Sequence, residues 1–259
     1  FSEEDFLSWG WRIPFLLSSV LVLLGLWIRK DIDETPDFKK VKQSGQVAKA
    51  PLRDTLKHHW REVLIAAGLK VVETAPFYIF STFVVSYATT TLTYQKSQAL
   101  EAVTLGALVA TVMIPLMGLL SDKIGRQRMY AASVFILGLF IVPWFMLLNT
   151  GTTWGIVLAT VIAFGVLWAP VTAVLGTLCS EIFSANVRYT GITLGYQLGA
   201  ALAGGTAPLI ATGLLAKYDG DWIPVAWYLA VTVVISLIAI FCASRVKRTT
   251  LLQAQPEHL

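Results

Sequence analysis

The sequence predicts an all-α membrane protein with seven transmembrane helices, and three observations carry that prediction. Hydrophobic residues make up 56% of the chain and charged ones only 14%, with a mean hydropathy of +0.67. Soluble domains do not reach that balance. Seven stretches are long and apolar enough to cross a hydrocarbon core, which takes roughly 20 residues of helix. Lys and Arg are concentrated in alternate connections between these stretches, as they are when cations are retained on one side of a bilayer.

The spans fall at about 13–28, 63–91, 100–120, 130–148, 154–178, 190–215 and 224–244. Pro14 and Pro224 stand at span starts, where a missing N–H costs nothing. The connection 29–61 carries nine Lys and Arg, the turn 121–129 three, the connection 179–189 one (Arg188) and the tail after Ser244 three. The alternate connections carry one each (Arg12, Lys96, Lys217) or none (149–153). The expected topology therefore has the N-terminus outside and the C-terminus cytoplasmic, in an inner or plasma membrane. Trp9, Trp11, Trp154 and Trp222 at outer ends and Trp27 and Trp60 near inner ones fit headgroup belts. The net charge of +4 is explained by this sidedness, so nucleic acid is not an expected partner.

The 29–61 connection reads as a basic cytoplasmic linker with a short amphipathic helix near Pro51–Trp60, and residues 245–259 as a cytoplasmic tail. His58 and His59 belong to this solvated surface. Cys179 and Cys242 are too few and too far apart in sequence for a metal-ligand spacing, and no cofactor is expected. The chain begins with Phe1 and shows no basic, apolar and small-residue series of a cleaved signal.

Within the second span Lys70 and Glu73 are the chain's most unusual charges. Starting from about Val63, a rise of ~1.5 Å per residue puts Glu73 roughly 15 Å deep, near the middle of a core about 30 Å thick. At spacing i, i+3 the two share a face. An isolated charge at that depth costs on the order of 3 kcal/mol, so Glu73 is expected to face a water-filled cavity, to be paired, or to be protonated. Burial favours the neutral form of a carboxyl, which makes Glu73 the expected proton carrier, with Lys70 as its partner or as an anchor for an anionic solute. Gln197 cannot cheaply face lipid and is expected to line the cavity or to hydrogen-bond between helices. Tyr78, two residues beyond Pro76, and Trp168, two before Pro170, sit where proline frees carbonyls and permits bending, and with Tyr196 are further cavity candidates. Gly191, Gly195 and Gly199 recur at the spacing of close helix crossings, and Pro115, Pro143 and Pro208 are candidate kinks.

Gly118-Leu-Leu-Ser-Asp-Lys-Ile-Gly-Arg-Gln-Arg128 lies between two spans. Its cations resist transfer, and Gly118 and Gly125 allow close approach or a sharp turn. The pattern G-x-x-x-D-x-x-G-R-x-R resembles the signature loop of the major facilitator superfamily. Trp9-Gly-Trp-Arg-Ile-Pro-Phe-Leu-Leu-Ser18, Glu181-Ile-Phe-Ser-Ala-Asn-Val-Arg-Tyr-Thr-Gly191 and Gly204-Gly-Thr-Ala-Pro208 narrow the resemblance to its metabolite:proton symporter branch, the carriers of shikimate, 2-oxoglutarate and proline or betaine. The resemblance covers residues 9–244. It implies helices 6–12 of a twelve-helix fold, with 1–28 the outer segment and last helix of the N-terminal half, 29–61 the linker and 62–244 a six-helix C-terminal domain. It also implies a cytoplasmic gate network of Asp122, Arg126, Glu181 and Arg188, transport of a small organic solute, a carboxylate or zwitterion, with protons by alternating access, and action as a monomer. The missing N-terminal half, in cis or in trans, would be a partner. The alternative is a truncated, transport-incompetent half.

An intramembrane enzyme would need a nucleophile–base pair or metal ligands inside the spans. No HExxH or GxSxG motif occurs, and all three His lie outside the spans. A seven-span receptor would share the helix count but gives no reason for the basic linker or the hinge motif.

Overall fold

The computed structural model describes residues 2–30 and 51–253, and the side chains beyond Arg245 lie outside the description. The middle of the expected linker and the last six residues of the tail therefore lie outside the described residues. The chain divides into two compact units, Phe1–Val47 and Ala48–Leu259.

The first unit holds a short helix α1 (Glu3–Ser8) and the span α2 (Gly10–Lys30). Ser2 caps α1 by accepting from the Asp5 amide at 3.1 Å. The Arg12 guanidinium donates to the Ser8 carbonyl at 2.5 Å and lies 4.3 Å from the Trp11 ring centre, holding the entry to α2.

The second unit opens with α3 (Pro51–His58), the short helix expected in the linker, and continues through α4 (Trp60–Thr90), α5 (Lys96–Ile124), α6 (Arg126–Leu148), α7 (Thr153–Ser180), α8 (Arg188–Lys217) and α9 (Ile223–Gln253). With α2, helices α4–α9 make seven described helices long and apolar enough to cross a membrane. They outrun the expected spans by a few residues because polar ends continue the helix into the connections.

α4 is the central helix. Val63, Ala66, Leu69, Val72, Ala75, Ile79, Phe80, Phe83 and Tyr87 are buried along it, and α8 and α9 pack on it most extensively. The contact with α8 depends on missing side chains: a Cβ added to Gly195 would fall 2.5 Å from the Ala66 methyl, and one on Gly199 2.5 Å from the Ala67 carbonyl oxygen. Only small residues permit such an approach. A second crossing, α5 on α7, brings Gly106 against Phe164 and Gly165 against Val109. No regular glycine spacing announces it.

Two clusters tie the helix ends together. Tyr94 donates to the Leu148 carbonyl at 2.9 Å, and Gln98 to Thr153 at 2.8 Å, which joins the α4–α5 and α6–α7 connections. Below them Trp144, Phe80, Phe145 and Trp222 form an aromatic chain with ring centres 4.7–4.9 Å apart. The opposite end carries the α5–α6 turn and the α7–α8 connection.

Three spans contain a π-helical stretch: Ile79–Phe83 in α4, Val161–Leu167 in α7 and Ala200–Gly204 in α8. The first lies just beyond Pro76, the second ends at Trp168, and the third leads through a turn at Gly205 and Thr206 to Pro208. Pro115 and Pro143, in contrast, sit inside helices that run on through them. Widened turns of this kind concentrate at functional sites.

Gly199→Leu is expected to destabilise the six-helix unit by about 1–3 kcal/mol, the range for overpacking. Gly118→Leu, where an added Cβ meets nothing within 4 Å, should leave stability nearly unchanged. Thermal unfolding of both variants in detergent checks the difference.

Candidate functional site

Near the midpoint of α4 the Lys70 ammonium is in direct contact with the Glu73 carboxylate, both side chains largely buried at 17% and 14% exposure. Each Glu73 oxygen has further partners. Thr172 on α7 donates to Oε1 at 2.9 Å, and the Thr74 hydroxyl lies 2.9 Å from Oε2. Lys70 also lies 4.9 Å from the Tyr196 ring centre on α8, a cation–π contact. Three helices thus build one charged site.

The backbone beside it is held from outside the helix. Ser236 on α9 donates to the Gly68 carbonyl at 2.6 Å and accepts from the Val72 amide at 3.1 Å. Tyr130 on α6 donates to the Leu69 carbonyl at 2.5 Å, and the Trp168 indole to the Glu73 carbonyl at 2.7 Å. Phe77, Phe164 and Trp168 form an aromatic wall with ring centres 5.2–5.6 Å apart, and Tyr78 meets Phe77 edge-on at 5.3 Å. Ser236, Tyr130 and Trp168 thus add hydrogen bonds to backbone groups of α4 at Gly68, Leu69, Val72 and Glu73.

Of the cavity residues expected from sequence, Trp168 and Tyr196 touch the charge pair or its backbone. Tyr78 belongs to the aromatic wall. Gln197 is exposed on α8 and makes no side-chain hydrogen bond among the described residues. Sequence reasoning missed Thr172, Tyr130 and Ser236. Thr172 had one usable signal: it lies four residues after Trp168, on the same helical face of an otherwise apolar span.

The second site is at the α5–α6 turn. Gly125, with φ of 97°, reverses the chain in a single residue, a conformation other residues rarely adopt. Arg126 then extends one guanidinium nitrogen to Glu181 at 2.6 Å and another to Asp122 at 3.2 Å. The three ends of α5, α6 and α7 meet in this fork. Arg188 donates to the Phe183 carbonyl at 3.4 Å and shapes the α7–α8 connection. Gly118 faces open space, so the expected close approach is not made within this unit. Around the fork lies a cleft of about 410 Å³ lined by Ser121, Asp122, Gly125, Arg128 and Glu181 among others. Among the described residues no cluster of three or more His, Cys, Asp or Glu comes together to hold a metal.

Comparison with known proteins decides the family. The chain matches the Major Facilitator Superfamily over residues 6–203 and again over 77–258. It belongs to that superfamily. Similar curated proteins include a shikimate transporter of Escherichia coli, 33% identical over 91% of this chain and 54% of that protein. An inner membrane metabolite transport protein of the same organism is 30% identical over 96% of this chain and 57% of its own length. A glycine betaine/proline/ectoine/pipecolic acid transporter of Dickeya dadantii is 29% identical over 91% and 48%. These are the relatives that the sequence motifs pointed to, and they are transporters, not enzymes. The chain spans about half the length of the curated relatives it matches. No solved structure gives a significant match.

The Arg126–Glu181 pair is partly solvent-exposed, and such pairs couple by about 0.2–1 kcal/mol. A double-mutant cycle on thermal unfolding with Arg126→Ala and Glu181→Ala is expected to give a coupling in that range that shrinks as salt rises. A coupling of several kcal/mol would identify a permanently locked structural pair instead of a reversible one.

Proposed function

We propose that this chain is the C-terminal part of a secondary active transporter that moves a small organic solute, a carboxylate or zwitterion, together with protons by alternating access. Family membership supports the transport class, and the relatives named for shikimate, betaine and proline support the solute class. The observation that carries the reading is the buried Lys70–Glu73 pair, an arrangement that a merely structural span has no reason to keep.

In such carriers two halves rock about a central site. In this reading 62–244 is one half, α2 the last helix of the other, and the N-terminal half, in cis or in trans, completes the cavity. Glu73 takes a proton from the water of the open cavity and gives it up on the other side. Lys70 holds the charge balance. The Asp122–Arg126–Glu181 fork fits a contact that closes the cytoplasmic side and parts again in each cycle, because exposure keeps it weak. The orientation with the fork and tail inside and the N-terminus outside rests on the distribution of Lys and Arg. Activity as a monomer is part of the same reading.

The decisive measurement is uptake by the full-length carrier in vesicles. Glu73→Gln is expected to abolish accumulation driven by a pH gradient while sparing solute exchange; full accumulation by that variant would remove the proposal. For sidedness, Lys123→Cys, exposed beside the fork, should react with an impermeant maleimide in inside-out vesicles and not in intact cells.

A further inference from the structure

The hydrogen bonds at Glu73 accommodate two protonation states without moving the backbone. Thr74 has one hydroxyl proton and two acceptors in reach, the Lys70 carbonyl at 3.0 Å and Glu73 Oε2 at 2.9 Å. When Glu73 is ionised, Thr74 can donate to Oε2. When Oε2 carries a proton, that O–H can donate to Thr74, whose own proton turns to the Lys70 carbonyl. Thr172 donates to Oε1 in both states. Neither state leaves the carboxyl without partners.

Lys70 does not share this tolerance. Glu73 is the acceptor the ammonium contacts, the Tyr196 ring offers only a cation–π face, and an ammonium has three donors. The titratable groups surrounding the pair are Tyr130 from α6, Cys179 from α7 and Tyr196 from α8, while α9 contributes Ser236 to the neighbouring backbone. Phenols and thiols are uncharged where a carboxyl titrates. Every other charged side chain in the described spans lies within about two turns of a helix end. Among the described residues the net charge of the deep site therefore depends on Lys70, Glu73 and whatever enters, the other half of the cavity being taken to add no charge.

Ionised Glu73 with Lys70 gives zero. A proton on Glu73 gives one positive charge, and a bound monoanion restores zero. Proton without anion, or anion without proton, leaves a net charge in a largely desolvated site, which is unfavourable.

Resting on the proton-coupling reading above, we infer that Lys70 exchanges partners, from the Glu73 carboxylate to the carboxylate of the solute, when Glu73 is protonated. The solute is a monoanionic organic acid, and one proton crosses with each anion, so the loaded and empty sites carry the same charge. The proton passes from water to Glu73 Oε2 on one side and returns to water on the other, no covalent bond of the solute being made or broken. A zwitterion would leave the positive charge uncompensated.

The test uses the full-length carrier in proteoliposomes with potassium and valinomycin setting the potential. Shikimate, lactate and benzoate serve as monoanions, and proline and betaine as zwitterions. The expected result is monoanion uptake driven by an inward pH gradient, with an initial rate that changes less than about twofold between zero and about −100 mV, a potential that acts strongly on any net charge moved. Lys70→Gln should raise the KM for the transported anion about tenfold or more, the usual consequence of losing a buried charge-assisted contact. Lys70→Arg, which keeps the cation, should retain measurable uptake and serves as the folding control. Uptake that follows the potential, a preference for the zwitterions, or an unchanged KM in Lys70→Gln would overturn the inference and leave proton coupling standing. Absence of gradient-driven uptake for both solute classes would overturn both.

Discussion

A cation and an anion placed together at the midpoint of a membrane helix impose the constraint on which the rest of this structure depends. Neither Lys70 nor Glu73 is tolerable alone at that depth, so α4 must sit where other helices can surround the pair. The surrounding groups are specific. Thr172 and Trp168 reach in from α7, Tyr196 from α8, Tyr130 from α6 and Ser236 from α9. Each answers either a charged atom or a backbone group of α4 between Gly68 and Glu73. The central position of α4 is the geometric consequence.

Packing that close requires small residues on the approaching helix. Gly195 and Gly199 let α8 lie against Ala66 and Ala67, and the same contact brings Tyr196 beside Lys70. The widened turns follow from the same region: Pro76 in α4 and Pro208 in α8 each adjoin one, and Trp168 ends another. These irregular stretches lie beside the site on α4, α7 and α8, and Phe80, inside the widened turn of α4, joins the aromatic chain of Trp144, Phe145 and Trp222.

At the fork, all three charges sit at unfavourable ends of their own helices. Asp122 is in the last turn of α5 and Glu181 directly follows α7, where the helix dipole is negative; Arg126 opens α6, where it is positive. Meeting one another relieves each of them. Because the cluster is open to water, the relief is modest and separation is inexpensive.

Much of this was legible in the sequence because the bilayer is a severe solvent. Apolar runs of the necessary length have few alternatives to spanning it, so the seven helices, the short helix at Pro51, the Gly125 reversal and the pairing of Lys70 with Glu73 followed from composition, period and i, i+3 spacing. Asp122 with Arg126 was equally local. The rest involves partners distant in the chain: Thr172 joins Glu73 across 99 residues and Ser236 joins Gly68 across 168, while Glu181, 55 residues from Arg126, was brought beside it in advance only by the family resemblance. An isolated hydroxyl in an apolar span reads the same whether it bonds its own preceding turn, as Thr104 and Thr111 do, or a neighbouring helix. Sequence by itself determined which segments cross the membrane and which charges are too deep to stand alone. Tertiary structure decided which helices satisfy those charges, because helix rotation and crossing are set by packing between side chains that no local pattern relates.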